Sequence, residues 1–181
     1  AKADVCDISR DGSLVYFSDW DGNEVTVSVI GTDGENEQVV LDEVEGVDSY
    51  RVSADVSHVA YVQENEDFQL YMVERQSGSE SEIGDEVFDV LSYDFVPDSD
   101  ILYYVVRENY DDEEVNLYTS EGDRPIAEGA AIEVEFSQDG TYIAYLIRDD
   151  DGDETLYVRP VGGDDEVEVV GRGEYGAGDM P

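Results

Sequence analysis

Few side chains in this 181-residue chain carry catalytic chemistry. His58 is the only histidine, so a Ser-His-Asp or Cys-His hydrolase would have to be built on it. It lies between Ser57 and Val59 at the start of an apolar run, the setting of a structural or exposed histidine. No G-x-S-x-G elbow, P-loop, dinucleotide fingerprint, H-E-x-x-H or C-x-x-C motif is present. No catalytic and no cofactor-binding residue is therefore expected, and the chain reads as a non-enzyme. Cys6 is the one cysteine, which rules out an intrachain disulfide and suits a buried structural thiol.

Metal chemistry is the next possibility. Asp149, Asp151 and Asp153 alternate around Gly152, and Asp19 and Asp21 flank Trp20 in a matching acidic hairpin. Oxygen donors around a tight turn suit Ca²⁺, a hard cation with about six to eight oxygen ligands. An EF-hand loop also needs a bidentate Glu at its twelfth position, and counting from Asp149 that position is Pro160. Asp-Gly pairs are equally what a hairpin needs without an ion. Where 48 of 181 residues are acidic, local clusters arise freely. The expectation is no metal and no cofactor, with Asp149, Asp151, Asp153, Asp19 and Asp21 as the calcium candidates. The run Asp111-Asp112-Glu113-Glu114 reads as a solvated loop.

Recognition surfaces leave a clearer trace. The chain holds 13 tyrosines, and tyrosine favours interfaces. Most recur at fixed positions described below. Trp20, Tyr110, Tyr142 and Tyr175 fall in loops or off register and are the candidates for a contact surface, with Trp20 foremost.

Charge narrows the partners. Forty-eight acidic residues against nine basic ones give a formal net charge of −39, and Lys2 is the only lysine. Nucleic acid is excluded as a partner, because phosphate binding needs the opposite sign. An anionic membrane surface repels such a chain, and no apolar run approaches the roughly 20 residues of a membrane-spanning helix. Repulsion of this size destabilises a compact state in dilute buffer. At molar salt the Debye length falls to about 3 Å and the repulsion is muted. A salt-adapted source is the preferred reading, and an acidic surface for solubility is the alternative. Ala1-Lys2-Ala3 looks like the end of a signal-peptide cleavage site. An extracytoplasmic location is favoured over a halophilic cytoplasm.

The elements that must position these residues form a repeat. Ser9–Phe17 (SRDGSLVYF), Ser53–Tyr61 (SADVSHVAY), Val96–Tyr104 (VPDSDILYY) and Ser137–Tyr145 (SQDGTYIAY) align at offsets of 44, 43 and 41 residues. Each has Asp third (Asp11, Asp55, Asp98, Asp139) and an aromatic last (Phe17, Tyr61, Tyr104, Tyr145). A second register follows at Leu70-Tyr71, Leu117-Tyr118 and Leu156-Tyr157, with Val25-Thr26 as the counterpart in the first copy. Gly12 and Gly140 follow the Asp in the outer copies, whereas Val56 and Ser99 stand there in the middle two, so a different turn type is expected in those. Around each motif, apolar and polar residues alternate as in half-buried strands, and no helical period is present.

A period near 42 with four strands per copy indicates a β-propeller, each copy one blade. The pattern F-S-x-D-G-x-x-I-A-Y, then an Asp-Gly hairpin, then L-Y-V resembles the TolB-type propeller repeat, also found in propeller domains of prolyl oligopeptidase-like peptidases. The resemblance spans nearly the whole chain. It implies fold and leaves function open, because the peptidases keep catalysis in a separate hydrolase domain.

The expected architecture is all-β: four four-stranded antiparallel blades at about 3–41, 47–83, 87–127 and 131–170, then a Gly-rich tail or linker at 171–181. The weakest strands are the outer one near Glu80–Ile83 and a short piece at Pro125–Ala127, since Pro fits only an edge. Closure is expected either within one chain, as a compact four-blade monomer, or as a homodimer whose two halves make an eight-blade ring. The expected function is a non-enzymatic protein-interaction or scaffold domain with an unidentified protein partner. The alternatives are the accessory propeller of a larger hydrolase or peptidase, orienting its substrate, and an engineered repeat protein; divergence between the copies argues against the last.

Overall fold

A computed structural model describes residues 3–64, 68–87, 89–107, 115–122, 124–148, 153–163 and 167–170, and in them every regular element is a strand. Four meanders follow one another along the chain. Blade 1 comprises β1 (Ala3–Ile8), β2 (Leu14–Asp21), β3 (Glu24–Gly31) and β4 (Gln38–Glu45). Blade 2 comprises β5 (Val47–Val52), β6 (His58–Glu64), β7 (Phe68–Glu74) and β8 (Ser79–Val87). Blade 3 holds β9 (Asp89–Phe95), β10 (Leu102–Arg107) and β11 (Asn116–Thr119). Blade 4 holds β12 (Ala130–Phe136), β13 (Tyr142–Arg148), β14 (Glu154–Pro160) and β15 (Val167–Val170). Strands pair antiparallel in chain order within each sheet, the pattern that short hairpins between alternating strands enforce.

Two outer strands differ from the sequence expectation. β8 is a full nine-residue strand, although its Ser and Glu content made it the weakest reading. Its edge position tolerates that composition: residues 79–82 are exposed and Ile83 alone of 79–84 is buried. Blade 3, in contrast, has only three named strands, and its fourth is reduced to a bridge between Leu117 and Ala127. Pro125 explains the loss: it has no N–H to give, so pairing resumes only where the N–H of Ile126 reaches Leu117 O and Ala127 O accepts from Leu117 N–H.

Each sheet has a front and a back, set by the two-residue period of the strand. The repeated aromatics all lie on the front. Tyr61 pairs with Tyr71, Tyr104 with Tyr118 and Tyr145 with Tyr157 across neighbouring strands, and each pair stacks with ring centroids 5.2, 5.4 and 6.0 Å apart. In blade 1 the partner of Phe17 is Ser28. The second register therefore falls on Val27-Ser28, not on the Val25-Thr26 pair that sequence alignment selects. One hairpin residue more or less displaces such an alignment, whereas backbone pairing does not allow it.

The core is partitioned between blades. One cluster joins Val25, Val27 and Leu41 of blade 1 to Val59, Tyr61 and Val73 of blade 2. A second joins Ala60, Val62 and Leu70 of blade 2 to Tyr93, Leu102 and Tyr104 of blade 3. A third joins Tyr103, Val105 and Leu117 of blade 3 to Ile143 and Tyr145 of blade 4. These are three front-to-back junctions for four sheets. Among the described residues no cluster joins blade 4 to blade 1 and no sheet closes, so their packing does not make a single-chain four-blade ring. Bulky tyrosines at each junction hold neighbouring sheets apart and keep the turn per blade shallow, which leaves four blades as an open arc.

Candidate functional site

The inner turns, between the first and second strands of each blade, gather the residues that sequence reasoning singled out. In blade 1, Asp11 Oδ1 accepts from Ser9 Oγ at 2.7 Å and from the Ser13 N–H at 2.9 Å, while Ser9 Oγ accepts from the Leu14 N–H at 2.9 Å. Blade 2 repeats this with Ser53, Asp55, Ser57 and His58, and blade 4 with Ser137, Asp139, Thr141 and Tyr142. The recurrent Asp is thus a turn cap, satisfying N–H groups that the ladder leaves unpaired. Hydrogen bonds from Ser137 and Thr141 hold the Asp139 carboxyl at about 2. Asp11 is lowered by bonds from Ser13 and Ser9. At Asp55 burial pushes upward, but the bonds from Ser57 and Ser53 together outweigh it and the carboxyl is lowered.

Turn geometry corrects one sequence expectation and bears out another. Gly12, Val56 and Gly140 share a left-handed backbone, with φ of 73°, 59° and 67°, so blade 2 keeps the turn type despite lacking glycine. Val56 is fully buried, and that burial offsets the strain of a β-branched residue at positive φ. Blade 3 does differ: its left-handed residue is Asp98, at φ 60°, one position earlier.

His58 has a neighbour that its sequence context did not reveal as a partner. Ser57 Oγ lies 2.9 Å from His58 Nδ1 and 2.6 Å from Asp55 Oδ1. The order is wrong for a catalytic triad, in which the base takes the serine proton and the carboxylate holds the far ring nitrogen. Here the Ser57 hydroxyl donates to Asp55, as Ser13 donates to Asp11 and Thr141 to Asp139 in turns that lack histidine. The arrangement is the repeat's cap with a histidine beside it.

Clefts open where blades 1, 2 and 3 converge, and two of them bear on the candidate residues. One, of about 500 Å³, lies among the inner turns and is lined by Asp11, Asp55, Asp98 and Asp100, with Arg10 bridging to Asp98 across the arc. The second, of about 420 Å³, is lined by Tyr16, Trp20, Tyr50 and Arg51. Burial and the nearby Asp7 carboxylate push the Tyr16 hydroxyl up to about 12, so it stays protonated at neutral pH. The Arg51 guanidinium stands 5.4 Å over the Tyr93 ring and donates to Tyr50 O. Aromatic walls beside an arginine suit an apolar group carrying a carboxylate. Trp20 belongs here: it lies on β2 and not in a loop, packed partly buried against the junction of blades 1 and 2. The approach of Arg10 to Asp98 and the seat of Arg51 are long-range facts with no local signal in the chain.

The other candidates are scattered. Tyr142 opens β13 and is 52% exposed on the back of blade 4. Tyr110, Tyr175, Asp149 and Asp151 lie outside the described residues. Asp153 is partly buried just before β14, while Asp19 and Asp21 sit two apart on β2, opposite Thr26 and Glu24. The Glu24 carboxyl is pushed up by burial and then by Glu45, Glu43 and Asp21, a crowd of like charges. Among the described residues no three His, Cys, Asp or Glu side chains come together as a metal-binding group.

No protein-family model and no curated protein matches the sequence. Solved structures do match. TolB from Acinetobacter baumannii superposes over 92% of this chain and 43% of its own, at 10% identity and a TM-score of 0.56. A structure from a study of two prolyl endopeptidases aligns over 94% of this chain and 29% of its own, at 17% identity and a TM-score of 0.66. The β-propeller domain of the Trilobed protease from Pyrococcus furiosus, reported with an open velcro topology, aligns over 94% and 58%, at 15% identity and a TM-score of 0.59. The chain therefore spans less than two thirds of each of these neighbours. At these identities the likeness concerns fold, and it agrees with the repeat, the blades and the junctions described above: this chain has the fold of the TolB-type β-propellers and of the propeller domains of prolyl oligopeptidase-like peptidases.

Proposed function

We propose that this chain is a non-enzymatic propeller module that binds a protein partner along the inner side of its arc. The observation that carries this reading is the cleft of Tyr16, Trp20, Tyr50 and Arg51, which places aromatic faces and a cation together in a strongly acidic protein. The sole histidine lies beside a turn cap that needs no histidine, which supports a role without turnover. The carboxylate excess reads as salt adaptation, and an extracytoplasmic location fits the TolB-like fold. An accessory role beside a hydrolase domain is the second reading, favoured by the peptidase neighbours, in which the likeness is to a propeller.

Two experiments test it. In molar KCl, the purified chain should leave chromogenic acyl esters and dipeptide anilides at the blank rate, with Ser57→Ala and His58→Ala indistinguishable from wild type. Turnover that persists through repurification and disappears in both variants would overturn the non-enzymatic reading. A photo-crosslinking residue replacing Trp20 should yield a reproducible protein adduct in extract of the source, whereas the same residue at Glu121, on a distant hairpin, should not. Equal labelling from both positions, or none from Trp20, removes the cleft as the binding surface.

A further inference from the structure

The junctions in the arc share one pattern, except that blade 3 puts Tyr103 on its back where blades 2 and 4 have Ala60 and Ala144. The back of one sheet offers small and branched aliphatics, such as Ala60, Val62 and Leu70, and the front of the next offers an aliphatic and an aromatic, such as Leu102 and Tyr104. All five are at most 4% exposed. Among the described residues the end sheets carry the same two halves without a packed neighbour. On the front of blade 1, Val15 and Phe17 stand in the register of Leu102 and Tyr104, and both are partly exposed, with Ile8 and Val39 beside them at 53% and 47%. On the back of blade 4, Ala144, Leu146 and Leu156 stand in the register of Ala60, Val62 and Leu70, again partly exposed, with Tyr142 and Val167 at 52% and 60%. Among the described residues, every exposed large hydrophobic side chain lies in blade 1 or blade 4.

We propose that these two faces close on a second copy of this chain, blade 1 of each protomer against blade 4 of the other. A second copy is the partner whose faces already match, because the three junctions within the chain show these residue types packing front to back. Each contact is head-to-tail, and a twofold axis makes two of them and closes the ring. Two copies supply about eight blades, within the usual range of four to eight. The two junctions also remove apolar surface that a soluble monomer rarely leaves open. The charge of −39 on each copy opposes this union, so it forms in molar salt and loosens as salt is removed. The rival occupant is a set of blades from elsewhere. Four blades cover 58% of the Pyrococcus domain, so a ring of that curvature holds about seven and lacks about three here.

Light scattering in molar KCl over a wide concentration range tests the proposal. The expected species is about 40 kDa, twice the 20.1 kDa chain, and it does not grow with concentration. Ile8→Lys and Val167→Lys alter exposed side chains, leave the internal junctions untouched and lower the negative charge, so neither unfolding nor added repulsion explains a loss. Each variant alone should fall to the monomer. Mixed in equal amounts, they retain one native junction between them and should recover a dimer at higher concentration than wild type needs. A wild-type monomer at all concentrations, open-ended growth, or a dimer indifferent to both substitutions overturns the second-copy ring.

Discussion

Gly12 and Gly140 occupy the same place in the first and last inner turns, with φ of 73° and 67°, yet their surroundings differ. A Cβ at Gly12 meets nothing within 4 Å, whereas one at Gly140 would fall 2.2 Å from Pro97 O, on the backbone of the blade 3 turn. Gly12→Ala should therefore cost only the strain of a left-handed L-residue, about 1–2 kcal/mol. Gly140→Ala adds a clash with main chain that no rotamer relieves, and forcing the two turns apart should cost a further ~1–3 kcal/mol, as overpacking does. In a domain of this size 1 kcal/mol moves Tm by about 2–4 °C, so the two variants should separate clearly. Thermal unfolding in molar salt should be followed by near-ultraviolet circular dichroism, which senses all three tyrosine stacks. Fluorescence of Trp20 reports only the junction of blades 1 and 2, and blades in a repeat array can unfold separately. Equal losses in the two variants would refute the contact between the third and fourth turns.

The remaining predictions concern salt, acid and calcium. Melting temperature should rise steeply from dilute buffer to molar NaCl or KCl, with monovalent chlorides sufficient; a flat response sinks the salt-adapted reading. At low salt, stability should rise as pH falls from neutrality toward the isoelectric region near 4.1, because the raised Glu24 carboxyl takes up a proton and the crowding of like charge is relieved. Below that it should drop: Asp139, at about 2, and the lowered Asp11 and Asp55 stabilise the fold above the ordinary value of 3.8 and lose that contribution as pH falls through their folded values. Ser137→Ala should bring the acid limb to higher pH, and an unchanged acid limb contradicts the cap. Micromolar Ca²⁺ in molar NaCl should leave the melt unchanged; stabilisation that Asp151→Asn abolishes would show a site in the acidic hairpin.

What was legible in the chain was what local geometry dictates. The Asp at the third position of the first, second and fourth motifs is a cap that the adjacent Ser or Thr and the turn itself require, so sequence periodicity reported it directly, whereas Asp98 of the third takes the left-handed position and pairs with Arg10. Tyr61, Tyr104 and Tyr145 announced the packed face because a two-residue strand period carries any buried position along. Val56 was misread since its left-handed backbone is held by burial, a tertiary term invisible beside its neighbours. Ser28 was missed because a small residue replaces the tyrosine that marks its register elsewhere. The aromatic cleft was half legible: Trp20 stood out and Tyr16 shares its strand face, but Tyr50 and Arg51 join them only through the angle between two sheets. Each such angle is set by the bulk at one junction, and the arc sums three of them, which is why closure of the ring was not readable.

The central claim is an arc of four front-to-back blades that does not close on itself. Spin labels at Asp33, Gln76, Glu121 and Gly162, exposed positions between the third and fourth strands of successive blades, test it by pulsed electron resonance. Cys6 is first replaced by Ala, and labelled chain is diluted with unlabelled chain so that only distances within one protomer contribute. The account predicts that the pairs 33–76, 76–121 and 121–162 give similar distances and that 33–162 is clearly longer than any of them. A 33–162 distance equal to the other three would mean that blades 1 and 4 meet, and it would contradict the open arc.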